Sequence, residues 1–119
     1  MITKVIIKRQ VTKGKEQDFF NVLKEMRIHA MDQKGYITGE TLIGTKDQNK
    51  VVVISKWESP EDWDAWQNSD QKKTINAKME KLLDEPTRYE SFVFSKFWAA
   101  ASQGFPPPLQ KLGELDPQS

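Results

Sequence analysis

The sequence predicts an α+β chain of the ferredoxin-like, split βαβ type: a four-stranded antiparallel sheet carrying its helices on one face. Three observations predict it. Strand-like runs near both ends and in a central pair are separated by stretches of helical period. A polar, turn-prone link, Lys46-Asp47-Gln48-Asn49-Lys50, joins the central pair closely enough for an antiparallel hairpin. The resulting order of strand, helix, strand, strand, helix, strand is that of the split βαβ arrangement.

Residues 2–11 mix Ile and Val with Lys, Arg and Gln in near alternation, the pattern of a strand with two unlike faces. Gly14 punctuates it. From Lys15 the period changes, and Phe19, Leu23, Met26 and Ala30 form one apolar stripe, flanked by Phe20 and Val22, that defines an amphipathic helix. Gly35 ends that helix or lies in the loop just after it. Residues 36–45 alternate again, with Ile37, Gly39, Thr41 and Ile43 opposite Thr38, Glu40 and Leu42. Val51 to Ile54 is an unbroken apolar run, which suits a strand covered on both faces.

The stretch Trp57-Glu-Ser-Pro-Glu-Asp-Trp-Asp-Ala-Trp-Gln-Asn-Ser-Asp70 organises the chain around it, and it holds three of the four tryptophans. Ser59 suits an N-cap and Pro60 the first helical position, where its missing N–H is no loss. Asp62 at the third position can return a hydrogen bond to the cap and favours the positive end of the helix dipole. Trp63 and Trp66, three residues apart, share one side of this helix. Ser69 and Asp70 read as another cap, and Ile75, Met79, Leu82 and Leu83 as a further stripe that stops before Pro86 and leaves the lysines exposed. Residues 87–98 form the last strand, with Phe92, Phe94 and Trp98 opposite Tyr89, Ser91, Val93, Ser95 and Phe97. The domain is expected over residues 1–98. Residues 99–119 form a Pro-containing extension in which Phe105, Leu109, Leu112 and Leu115 offer docking anchors.

A sheet with both helices on one face leaves the other needing cover, so that face is expected to meet a second subunit or hold a ligand cavity. The 119 residues suffice for one domain with a modest core, and 37% hydrophobic against 29% charged residues agrees with apolar surface completed in a homodimer. Lys and Arg total 18 against 17 acids, and a net charge of +1 offers no broad attraction to nucleic acid or an anionic membrane. The absence of cysteine excludes disulfides and thiolate chemistry and suits a reducing cytoplasm. The amino terminus has no long apolar run, and no stretch is apolar enough to span a bilayer.

With this element order, Lys56 to Asp70 resembles the strand-to-helix segment of the antibiotic biosynthesis monooxygenase domain family, and Thr12-Lys13-Gly14-Lys15 is similar to its first strand–helix joint. The resemblance covers roughly residues 1–98. It implies a dimeric α+β barrel, in which two sheets pack face to face. Some members are cofactor-free oxygenases of phenolic polyketides and others degrade haem. The helix tryptophan of the haem-degrading members corresponds to Trp66, their ligating histidine to Asn76 and their oxygen-steering asparagine to Ile7. A carboxamide is a poor iron ligand and Ile7 donates no hydrogen bond, so a haem cofactor is not expected. Among the cofactor-free oxygenases the resemblance places a substrate-touching polar side chain at Asp62.

The candidate site is therefore Asp62 and Trp66 as catalytic residues, with Trp63, Trp66 and Asn76 facing a small aromatic or quinol-like substrate between sheet and helices. Each has a plainer reading: Asp62 as a cap, the tryptophans, Trp57 included, as core. His29, the single histidine, suits a helix-dipole partner in the last turn better than a base or ligand. The acids Glu58, Glu61, Asp62 and Asp64 fit a solvated helix start, without calcium-loop spacing, and no metal site is expected. No dinucleotide, P-loop, zincin or serine-hydrolase string occurs. RNA-recognition domains share the element order, but Val51 to Trp57 lacks their aromatic and basic pattern. The competing functional reading is a non-catalytic dimeric module that binds a small hydrophobic ligand.

Overall fold

The computed structural model describes residues 1–94, and the remaining positions, including Ser95, Phe97, Trp98 and the anchors of the extension, lie outside the described residues. The elements run β1 (Thr3–Gln10), α1 (Glu16–Met31), β2 (Tyr36–Ile43), β3 (Lys50–Trp57), α2 (Pro60–Gln67), α3 (Asp70–Glu80) and β4 (Arg88–Val93). They form an α+β, ferredoxin-like fold whose antiparallel sheet has the order β2-β3-β1-β4. The expected hairpin is β2–β3, and the second helical region is two helices, broken where the Ser69 side chain caps α3.

Alternation sorts the sheet into two faces. Thr3, Val5, Ile7, Arg9 and Val11 are buried under the helices, while Lys4, Ile6, Lys8 and Gln10 between them are not. In β3, Val51, Val53, Ser55 and Trp57 share the helix side. The expected α1 stripe, Phe19, Leu23, Met26 and Ala30, closes over them together with Trp63, Trp66, Ile75 and Met79. Phe20 differs from its expected place beside this stripe and points outward, 39% exposed.

Two further expectations are revised. The β2–β3 register shifts between Tyr36 and Thr38, so Tyr36, not Ile37, pairs with Trp57 and joins Gly39, Thr41 and Ile43 on the helix side. Strict period two cannot foresee a bulge, which spends one residue without changing face. Leu82 and Leu83 pack on the core from just beyond α3, where Leu83 makes an isolated bridge to Val11.

The outer face of the sheet is not covered within the chain. Ile6 pairs with Ile54 and Val52 with Leu42 at its centre, all incompletely buried, while Phe92 and Phe94 stay 51% and 50% exposed. Lys4 and Lys56 place their ammonium groups 5.9 and 5.8 Å from the Phe94 ring centre. Among the described residues no helix is long and apolar enough to cross a membrane.

Candidate functional site

The strand-to-helix joint places the aromatic residues. Ser59 Oγ accepts from the Asp62 amide at 3.1 Å and donates to Asp62 Oδ2 at 2.9 Å. Pro60 opens the helix behind this cap. A three-residue step then puts Trp63 and Trp66 side by side, 6% and 2% exposed, facing the sheet. Trp57 meets Trp63 at 5.8 Å and Tyr36 at 5.3 Å between ring centres, both edge-on, the geometry that aromatic quadrupoles favour. Gly39 leaves the room this needs, because a Cβ there would stand 2.6 Å from the Tyr36 hydroxyl and 3.3 Å from Arg27 Nε.

These rings line a cavity of about 40 Å³ between the sheet and the helices, with Ile7, Arg9, Met26, Arg27 and Lys72 also on its wall. The sheet's helix side, not its outer face, therefore holds the cavity. It is far smaller than the roughly 300–1,000 Å³ of ordinary ligand pockets, so a ring-sized ligand needs the wall to yield. Met26, unbranched and without a fixed polar geometry, is the wall side chain best suited to yield.

Two wall residues carry buried charge. Lys72, 2% exposed, donates from Nζ to Gln67 Oε1 at 2.9 Å and to the Tyr89 hydroxyl at 3.0 Å, and sits 5.0 Å from the Tyr89 ring centre. Arg9, 3% exposed, donates from Nε to Thr87 Oγ1 at 3.2 Å, while Nη2 lies 3.7 Å from Met26 Sδ. Burial lowers the pKa of both, partly opposed by Tyr89 and by the Glu80 carboxylate. Arg27 donates to Thr41 Oγ1 at 2.7 Å. Burial also raises the Tyr36 phenol, an effect that Arg27 opposes.

The expected site residues occupy different surroundings. Trp63 and Trp66 are on the cavity wall. The Asp62 carboxylate is held in the cap and lies against Gly35, where a Cβ would collide with it. Asn76 is half-buried on α3, and its Oδ1 accepts from the Tyr89 hydroxyl at 3.4 Å. At the two positions the resemblance matches to a haem ligand and an oxygen-steering group, Asn76 offers a carboxamide engaged with Tyr89 and Ile7 is apolar core. His29 is away from the cavity, with its Nδ1 3.0 Å from Gln71 Nε2.

Sequence reasoning missed Arg9, Arg27, Tyr36 and Lys72, and it expected the α3 lysines to be exposed. The signals were present. Arg9 stands in phase with Val5, Ile7 and Val11, and Lys72 lies three and seven residues before Ile75 and Met79, on the buried stripe.

The fold has counterparts among solved structures. A conserved protein from Methanosarcina mazei Go1 superposes with a TM-score of 0.75 at 21% identity, over 80% of this chain and 94% of that one. SnoaB, a cofactor-independent oxygenase from Streptomyces nogalater, gives 0.72 at 14% identity, over 80% and 94%. Rv0793 from Mycobacterium tuberculosis gives 0.72 at 14%, over 81% and 97%. Identities this low show the shared fold alone. No curated protein sequence matches significantly. The family model described as antibiotic biosynthesis monooxygenase matches residues 2–78, more than half of the chain, and this protein therefore belongs to that family.

Proposed function

We propose that this protein is a cofactor-independent monooxygenase of a small aromatic or quinol-like substrate. It works as a homodimer whose two sheets meet through their outer faces, in the cytoplasm to which a cysteine-free chain is suited. The observation that carries the reading is the aromatic cavity beside buried cations: Trp57, Trp63, Trp66 and Tyr36 supply flat apolar walls, and the buried Arg9 and Lys72 supply positive charge at the same wall. Both features favour a phenol bound as its electron-rich phenolate.

The reaction is loss of the phenolic proton followed by attack of dioxygen on the ring. One oxygen atom stays on carbon and the other leaves as water with two hydrogens from the substrate, so no outside reductant is consumed. Trp66 forms the substrate-facing wall. Asp62 is assigned to holding the helix start that aims Trp63 and Trp66, since its carboxylate faces Ser59. SnoaB carries the description of a cofactor-independent oxygenase, which supports the reading at the level of a shared fold.

Oxygen uptake with a panel of dihydroxynaphthalenes and anthrones tests it. Protein-dependent uptake above the spontaneous rate, weakened in Trp66→Ala, is the expected result. Binding without uptake would instead support a non-catalytic ligand-binding module.

A further inference from the structure

We propose that the cavity is an oxyanion site, in which Arg9 and Lys72, with Arg27 at its wall, receive a carboxylate or phenolate oxygen, so that the ligand class is an acidic aromatic. This rests on the ligand lying between sheet and helices, as the oxygenase reading has it, and not on whether oxygen chemistry takes place there.

Three observations converge. Arg9 on β1 and Lys72 on α3 are 3% and 2% exposed, yet each has only neutral side-chain partners: Thr87 and Met26 for the first, Gln67 and Tyr89 for the second. Among the described residues the ion pairs are Lys8–Glu90, Lys78–Glu25 and Arg88–Glu85, and none involves the cavity cations. Finally, the cavity wall carries three cations and no acid.

The nearest carboxylate is behind a hydroxyl. Thr87 accepts from Arg9 and donates from Oγ1 to Glu80 Oε2 at 3.0 Å, so Glu80 makes no direct hydrogen bond to the guanidinium and acts on the two cations only through its field. Tyr89 is no substitute for an anion, because its hydroxyl donates to Asn76 while it accepts from Lys72. Buried cations whose direct partners are neutral have given up more hydration than the field of Glu80 returns, and an anionic oxygen in contact supplies what is missing. The free volume of about 40 Å³ admits such a group directly, and Trp63 and Trp66 on the same wall offer the ring its stacking surface.

Calorimetric titration of the full chain with 1-naphthoate and 1-naphthamide separates charge from shape, since the two probes share a ring system. At pH 7 naphthoate is expected to bind at least about tenfold more tightly, the scale of one charge-assisted hydrogen bond. Lys72→Met, which keeps length and removes one of the three charges, should lower the ratio severalfold by weakening naphthoate more than naphthamide, while Arg9 and Arg27 retain part of the preference. A thermal melt of the variant reports that it is folded. Equal affinity for the two probes, binding of neither, or an unchanged ratio in folded Lys72→Met overturns the inference. A charge preference without oxygen uptake on the quinol panel removes the oxygenase reading and leaves the oxyanion site standing. Uptake without charge preference does the reverse.

Discussion

At Lys72 two demands oppose each other. Its methylenes occupy a position on the buried stripe of α3, and its ammonium group is carried inside with them, where burial disfavours the charged form. The native state therefore holds that proton less tightly than the unfolded chain does. Between the lowered native pKa and the ordinary lysine value the unfolded state binds more protons, so this group's contribution makes stability rise with pH across that window. Below the native pKa its cost is fully present. Replacing Lys72 by Met removes the cost, and Lys72→Met is expected to raise the unfolding free energy by roughly 1–2 kcal/mol at pH 7. Urea melts at pH 7 and pH 10 check this. The advantage of the variant should narrow at the higher pH, and a variant less stable than the parent at pH 7 would show that the bonds to Gln67 and Tyr89 outweigh desolvation. Asp62 gives the complementary case. Asp62→Asn keeps a side-chain oxygen for Ser59, so its oxygen-uptake rate should stay within about twofold of the parent, as expected for a group outside the transition state. A loss of a hundredfold or more would return Asp62 to the role of base.

At the scale of elements, α2 is eight residues long, too short to persist on helix propensity alone. It is held by its cap and by the two tryptophans. Ser59→Ala should cost about 1 kcal/mol in a denaturant melt and weaken binding of an aromatic probe through slackened placement of Trp63 and Trp66. No change in stability would mean that packing alone fixes α2. This helix was legible in the sequence because its signals are local: Ser59, Pro60 and Asp62 occupy cap positions that need no tertiary context. The α1 stripe was legible for the same reason. What could not be read depends on neighbours. The bulge that turns Tyr36 inward is set by pairing with Trp57, and the burial of Arg9 and Lys72 was obscured by assuming that charge marks the wet face. Periodicity alone, taken without regard to residue type, would have placed both cations inside.

For the whole molecule, the proposed function gives the two faces of one sheet different ends. The helix side holds the cavity, and the outer side presents Ile6, Val52, Ile54, Leu42 and Phe92 interleaved with charged residues, among them Lys8 and Glu90 paired at 3.4 Å. Charged partners share the cross-strand rows of these apolar pairs, Glu40 beside Ile54 and Lys8 beside Val52, with Lys4 opposite Lys56 on the next row, a mixed composition that interfaces between subunits also show. Sedimentation of the 13.8 kDa chain at micromolar concentration should report a dimer, and Ile54→Asp, which puts a charge in the middle of that patch, should report a monomer. A parent chain that sediments as a monomer would refute the pairing of sheets while leaving the cavity untouched. Whether the faces divide the work in this way is decided by where 1-naphthoate sits in a crystal of the full chain. Its carboxylate is expected within hydrogen-bonding distance of Arg9 or Lys72, with the ring against Trp66. A naphthoate lodged on the outer face of the sheet, with the helix-side cavity closed, would overturn that division.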